Sequence, residues 1–134
     1  LLLVFAAIEA GVGLYGLISL RLFAAVGSLT LGASALQAFA LSFALVLLPT
    51  LGMGATLPLL VAHWVGRVRS VGRAVSLLYF VNTLGAACGA IAAVLAVLGP
   101  LGLRDAVRLA AGLNLVVAAT MLVAWATQRR RRTT

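Results

Sequence analysis

Long apolar runs, separated by short connections, constrain the fold of this chain more than any other feature of its sequence. Four runs can be delimited, at about 1–26, 33–64, 74–98 and 106–127. Each exceeds the roughly 20 residues that an α-helix needs to span the hydrocarbon core of a bilayer. None shows the period-two alternation that marks the strands of membrane β-barrels. The runs therefore predict an all-α integral membrane bundle of four transmembrane helices, with a basic tail over 129–134.

The composition excludes several classes of function. Hydrophobic residues make up 64% of the 134 residues and charged residues 9%, too few to cover a soluble domain of this size. One cysteine and one histidine, Cys88 and His63, provide neither an internal disulfide nor a metal site. No Ser-His-Asp or Cys-His set is present. We therefore expect no enzyme active site within this chain, no cofactor and no metal, with the lipid bilayer as its main partner.

Arginine placement orients the predicted bundle. The ten basic residues are all arginine, and they cluster at the ends of the apolar runs, which is typical of membrane topology rather than nucleic-acid binding. Seven fall on one side of a four-helix bundle: Arg67, Arg69, Arg73, Arg129, Arg130, Arg131 and Arg132. The other side carries Arg21, Arg104 and Arg108. The bias predicts that both termini are cytoplasmic, with the tail near anionic lipid headgroups.

The second run is long and contains helix-breaking residues at its centre. Its 32 residues would extend about 48 Å as a helix, against a hydrocarbon core of about 30 Å. We expect a kink or break near Pro49–Gly54, caused by four residues: Pro49, Gly52, Gly54 and Pro58. Hydroxyls of Thr50 and Thr56 are available to the freed backbone groups. Interrupted helices mark substrate sites in transporters, but proline kinks also occur for structural reasons alone.

Two of the predicted helices carry a face of small residues with a polar residue on it. Glu9, Gly13 and Gly16 share one face of the first helix, and a second such face lies on the third helix: Asn82, Gly85 and Gly89. Glycines allow close approach of membrane helices. We expect these two faces to pack together, with the side chains of Glu9, Asn82, Thr83 and Asn114 directed inward.

Glu9 is the first functional candidate because a carboxylate within an apolar membrane run is costly. Three hypotheses remain open for it at this level. It is a protonatable group in a transport or binding cavity, or a neutral structural acid that is hydrogen-bonded between helices, or a residue near the cytoplasmic surface.

Several strings occur in the order found in a known family. They are Glu9-x-Gly-x-Gly-Leu-Tyr-Gly16, Pro49-Thr-x-x-Met-Gly-Ala-Thr-Leu-Pro-Leu-Leu60, Tyr79-x-x-Asn-Thr-x-Gly-Ala-x-x-Gly89, Leu98-Gly-Pro-Leu-Gly-Leu103 and Asn114-Leu115. These strings resemble the membrane part of bacterial spermidine-synthase-like proteins, in which a transporter-like helical region precedes a cytoplasmic aminopropyltransferase-like domain. The resemblance implies a bacterial inner-membrane location, a polyamine-related role and a cytoplasmic C-terminus. It also implies further helices and a soluble domain that this sequence does not contain, so we expect a longer natural protein.

A second resemblance is to the major facilitator superfamily. The segment from Gly66-Arg67 to Gly72-Arg73 is similar to its basic cytoplasmic loop, without the acidic residue that completes that loop.

Beside a noncatalytic membrane domain of a spermidine-synthase-like protein, two alternative functions stay open. One is a stand-alone four-helix proton-coupled exporter that uses Glu9, as small multidrug exporters do. The other is a structural module that forms oligomers through its glycine faces.

Overall fold

The computed structural model describes residues 1–65 and 70–133, which are almost entirely helical and contain no strand. Helix α1 spans Leu2–Leu29 and α2 spans Ala35–Val65. Helix α3, Val71–Ala92, continues through a π-helical turn, Ala93–Leu98, into α4, Gly99–Thr133. The predicted all-α class is confirmed. Arg67 and Arg69, and with them the start of the facilitator-like loop, lie outside the described residues.

Three continuous helical stretches are long and apolar enough to cross a membrane, at Leu2–Leu29, Ala35–Val65 and Val71–Arg131. The predicted count of four is not matched, because the third and fourth apolar runs belong to one stretch. Its backbone departs from helical geometry at Gly102, where φ is 71° and ψ is 172°. A single glycine can supply such a turn, since it lacks the Cβ that forbids this region to other residues. The connection expected between the two runs is therefore reduced to one residue.

Helix α2 differs from its prediction because it runs without a break through Pro49 and Pro58. Pro49 has no amide hydrogen for the carbonyl of Leu45, four residues earlier. The hydroxyl of Tyr15 in α1 donates to that carbonyl instead, at 2.7 Å. The Tyr15 hydroxyl thus supplies the donor that Pro49 removes, while Pro58 lies in the same unbroken helix.

Local sequence signals set the two ends of the α1–α2 connection and the end of α4. Gly32 adopts a φ of 88° in the connection. Ser34 and Gln37 then form a capping box, in which the Gln37 side chain accepts from the Ser34 amide at 3.0 Å. At the other end of the chain, α4 continues through the predicted basic tail to Thr133. Arginine is a good helix former, and cations are favourable at a helix C-terminus.

Helix α1 is the centre of the packed part of the molecule. It packs most extensively against α4 and less extensively against α2, while α3 contacts α2. Among the described residues, α1 has no contact with α3, and α2 has none with α4. The buried apolar side chains are few and mostly small: Leu2, Phe5, Ala6, Ala74, Ala111 and Ala118. The fold is thus organised around the faces that α1 presents to its two neighbours.

Candidate functional site along helix α1

Gly13 and Gly16 lie where α1 and α4 approach most closely. A Cβ added to Gly13 would stand 2.9 Å from Cγ of Leu115 and 3.0 Å from the carbonyl oxygen of Ala111. A Cβ on Gly16 would stand 3.1 Å from Cβ of Ala111. These distances leave no room for a side chain at Gly13 and little at Gly16. The two glycines therefore fix the spacing of the α1–α4 pair.

The same contacts show that α1 and α4 are antiparallel. Moving along α1 from Gly13 to Gly16 moves the contact back along α4 from Leu115 to Ala111. Continuing this register toward the start of α1 places Glu9 near the level of Ala118, which is buried. Glu9 lies one turn before Gly13 on the face that packs against α4.

Glu9 is half-buried on this face. Within residues 1–65 and 70–133, its carboxylate has neither a hydrogen bond nor an ion pair, whereas the other acidic residue, Asp105, pairs with Arg108 at 3.0 Å. Glu9 therefore lies at a helix interface, and among the described residues it lacks the interhelical hydrogen bond expected of a structural acid.

Asn114 is the other predicted polar residue at this interface. It follows Ala111 by three residues and precedes Ala118 by four, so it shares the α4 face that these buried alanines define. Its side chain is half-buried. Of the four side chains expected to face inward, Glu9 and Asn114 are brought to one interface.

Asn82 and Thr83 lie elsewhere, on an exposed part of α3. A Cβ added to Gly85 or Gly89 would meet no atom within 4 Å. The expectation that this face packs against Glu9, Gly13 and Gly16 is therefore wrong, because α4 occupies the glycine face of α1. A small-residue face indicates that some helix approaches closely, but it does not identify which one.

A second contact of α1 is made with the proline-containing part of α2. A Cβ on Gly52 would stand 3.2 Å from Cγ2 of Val12 and 3.4 Å from Cγ2 of Ile8. An apolar cleft of about 200 Å³ lies beside this contact, and its walls include Tyr15 and Pro49. Gly52 is thus a close-packing position in an unbroken helix rather than a break.

The other residues expected to interrupt α2 or to bind a ligand make only local contacts. The hydroxyl of Thr50 donates to the carbonyl of Val46 at 2.7 Å, and that of Thr56 donates to Met53 at 2.7 Å. Gly54 has open space around it, and Pro58 is exposed. These hydroxyls are therefore engaged within their own helix.

A basic cleft that the sequence analysis did not identify lies between the second half of α1 and the start of α4. It has a volume of about 320 Å³, and three arginines contribute to its walls: Arg21, Arg104 and Arg108. Arg108 also pairs with Asp105 at 3.0 Å, and both side chains are exposed. The sequence signal that could have identified this cleft is that an arginine stands directly at the edge of an uncharged stretch in both helices. Arg21 follows Ala10–Leu20, and Arg108 precedes Leu109–Thr127.

The opposite end of α1 borders another cleft, of about 300 Å³, lined by Leu1, Leu2, His63, Trp125, Gln128 and Arg129. The guanidinium carbon of Arg129 lies 5.6 Å from the ring centroid of Trp125, within the range of a cation–π contact. The two polar clefts thus lie at opposite ends of the α1–α4 pair. Neither has Glu9 in its wall.

The described groups along α1 provide close packing at its glycines and positive charge at its ends. In the part of the chain that the structure describes, no three His, Cys, Asp or Glu side chains are grouped so as to hold a metal ion. No protein-family model, curated protein or solved structure matches the chain.

Proposed function

We propose that the chain crosses the membrane four times, with the stretch Val71–Arg131 forming two of the crossings. At 1.5 Å per residue its 61 residues would extend about 92 Å, three times the hydrocarbon thickness. The non-helical backbone of Gly102 divides the stretch into two lengths that each suit one crossing. The antiparallel arrangement of α1 and α4 supports this division, since α1 and a fourth crossing run in opposite directions.

In the proposed topology both termini are cytoplasmic, in the inner membrane of a bacterium. The seven-to-three arginine bias supports this orientation. The test is a pair of reporter fusions, one after Thr134 and one inserted at Gly32 in the exposed α1–α2 connection. We expect a cytoplasmic reporter to be active after Thr134 and a periplasmic reporter to be active at Gly32. The reverse pattern would overturn the orientation, and activity of one reporter at both positions would overturn the crossing number.

For function, we propose a noncatalytic integral membrane domain of a spermidine-synthase-like protein. The proposal rests on the ordered strings of the sequence and on the helical character of the chain. Such a domain would anchor, or carry across the membrane, a small cationic or amphipathic substrate for an enzyme domain attached to it or separate from it. The open reading frame around this sequence tests the assignment: an adjoining aminopropyltransferase-like domain is expected, and its absence together with that of further helices would contradict it.

The exposed face of α3 is the structural observation that most favours this chain being one part of a larger assembly. Asn82 lies on this face with Gly85 and Gly89, and all three are exposed in a single chain. Facing lipid, the Asn82 amide would lack partners that another helix can provide. We propose that further helices of the same protein, or a second copy of the chain, cover this face.

Paired substitutions test the coverage of α3. Gly85→Leu with Gly89→Leu would fill the proposed contact face, whereas Ala87→Leu adds a similar side chain on the opposite side of the same helix. Crosslinking and sedimentation in detergent should show loss of association in the first variant and its retention in the second. If both variants associate as the parent does, α3 faces lipid and the proposed contact is wrong.

A proton-coupled exporter is the second candidate function, and Glu9 favours it, since it is half-buried and has no partner among residues 1–65 and 70–133. A carboxylate without a fixed partner within the membrane can exchange a proton during a transport cycle. Proteoliposomes with the parent chain and the Glu9→Gln variant distinguish the candidates. Export driven by a proton gradient in the parent alone would establish the exporter, and its absence from both would remove this candidate.

A further inference from the structure

Three arginines from two helices meet at the basic cleft between α1 and α4. Its walls combine Arg21, Arg104 and Arg108 with apolar or small residues, namely Gly16, Leu17, Leu20, Ala24 and Val107. Asp105 pairs with Arg108 and offsets one of the three positive charges. The cleft therefore keeps an excess of positive charge directly beside apolar surface.

The two helices place these arginines independently at the same depth. On α1, Ala10–Leu20 carry no charged residue, and Arg21 follows them directly. On α4, the 19 residues Leu109–Thr127 carry no charged residue, and Arg108 precedes them directly. The α4 run is about 28 Å long as a helix, close to the thickness of the hydrocarbon core. Because α1 and α4 are antiparallel, both uncharged stretches end at one boundary between hydrocarbon and headgroups.

Two of the three guanidinium groups keep their donors for a ligand. Among the described residues, Arg21 and Arg104 have no ion pair or side-chain hydrogen bond, and only Arg108 is engaged, with Asp105. A guanidinium presents a planar set of donors that matches phosphate oxygens. Leu17 and Leu20, which precede Arg21 on α1, also line the cleft, on the side toward the hydrocarbon.

We propose that this cleft binds the phosphate of an anionic phospholipid, with the glycerol and upper acyl chain against Leu17 and Leu20. A phospholipid carries its negative phosphate directly beside an apolar chain, and the cleft places its arginines directly beside apolar side chains. Arg129–Arg131 lie at the opposite end of α4, so the bound lipid belongs to the leaflet away from that tail. This site is independent of the substrate or partner assigned to the chain.

Native mass spectrometry of the full chain in detergent tests the site, with phosphatidylglycerol and phosphatidylcholine of identical acyl chains as probes. The variant that removes two arginines from the cleft, called the groove variant below, is Arg21→Gln with Arg104→Gln. The control, Arg69→Gln with Arg73→Gln, removes the same charge just before α3 and in its first turn, away from the basic tail. The parent and the control should retain phosphatidylglycerol in preference to phosphatidylcholine, and the groove variant should bind phosphatidylglycerol roughly thirtyfold more weakly.

Three outcomes would overturn the proposal. They are the absence of any preference for phosphatidylglycerol in the parent, an equal loss in the groove and control variants, and displacement of the lipid by inorganic phosphate alone. The last would assign the cleft to a soluble anion. A further variant, Arg21→Lys with Arg104→Lys, keeps the charges and should keep most of the preference. Circular dichroism of every variant separates loss of binding from loss of folding.

Discussion

The hydroxyl of Tyr15 donates to the carbonyl of Leu45 at 2.7 Å and so joins α1 to α2. This carbonyl is the one that Pro49 leaves without an amide donor. A side chain from another helix thereby repairs the hydrogen-bonding defect that the proline introduces. The same bond fixes the α1–α2 register beside the Gly52 contact, so a local defect in one helix becomes a tertiary contact between two.

Removal of the Tyr15 hydroxyl should cost more stability in the parent than in a variant that lacks Pro49. We expect Tyr15→Phe to lower the free energy of unfolding by about 1 kcal/mol, since it removes one hydrogen bond from a half-buried carbonyl. In a Pro49→Ala background the new amide serves Leu45, and the same change should cost only a few tenths of that. The measurement is a double-mutant cycle by reversible unfolding in mixed detergent micelles. Equal costs in the two backgrounds would show that the bond does not compensate for the proline.

Gly11 and Gly13 provide a matched pair of glycines in α1. Gly13→Ala should lower the free energy of unfolding by about 1–3 kcal/mol, because its Cβ would overlap Leu115 and the backbone of Ala111. Gly11 has no atom within 4 Å of its Cβ position, so Gly11→Ala should raise stability by up to about 1 kcal/mol through helix propensity. The same unfolding assay measures both. Similar effects of the two substitutions would argue against close packing of α1 on α4.

Gly102 should resist substitution more than Gly112, another glycine of α4. Gly102 has a φ of 71° and a ψ of 172°, whereas Gly112 is helical and a Cβ there would meet no atom within 4 Å. Alanine at position 102 should cost about 1–3 kcal/mol, because this backbone region is nearly restricted to glycine. Alanine at position 112 should be neutral or slightly stabilising. The thermal unfolding temperature of each variant gives the comparison, and a neutral Gly102→Ala would mean that the turn is not retained.

Glu9→Gln should leave the free energy of unfolding unchanged or raise it by about 1 kcal/mol. A half-buried carboxylate without a partner gains nothing from its charge, and the neutral amide is easier to desolvate. The control is Asp105→Asn, the other acidic residue, whose exposed pair with Arg108 should contribute less than about 1 kcal/mol. A loss of stability in Glu9→Gln, measured in the same micelles, would reveal a partner for the carboxylate in the membrane.

The length and spacing of the apolar runs predict much of this fold. The first two boundaries, at 1–26 and 33–64, fall close to Leu2–Leu29 and Ala35–Val65 because uninterrupted hydrophobicity is a strong signal. The Glu9, Gly13 and Gly16 face was also predicted as a packing face, and it is one. Its partner was not predicted, since glycine spacing is equally compatible with α3 and with α4. Only the three-dimensional arrangement chooses between them.

The intact α2 shows a different limit of sequence reasoning. Pro49 predicts correctly that its own amide donor is missing, but the Leu45 carbonyl receives another donor, and the helix continues through both prolines. That donor is Tyr15, 30 residues earlier in the chain. Likewise, Arg21 and Arg104 are 83 positions apart in the sequence and line the same cleft only because α1 and α4 are antiparallel. Such pairings depend on tertiary structure, which no local pattern encodes.

The pairing of α1 with α4 also determines the order in which the chain can be assembled. Ala111 is synthesised 95 residues after Gly16, the residue it packs against. At the usual rate of elongation this separation corresponds to about 5–20 s. Helix α2 is complete long before, so it can join α1 while the glycine face is still uncovered. During that interval the nascent protein exposes the Gly13 and Gly16 surface to the lipid or to the insertion machinery, until α4 covers it.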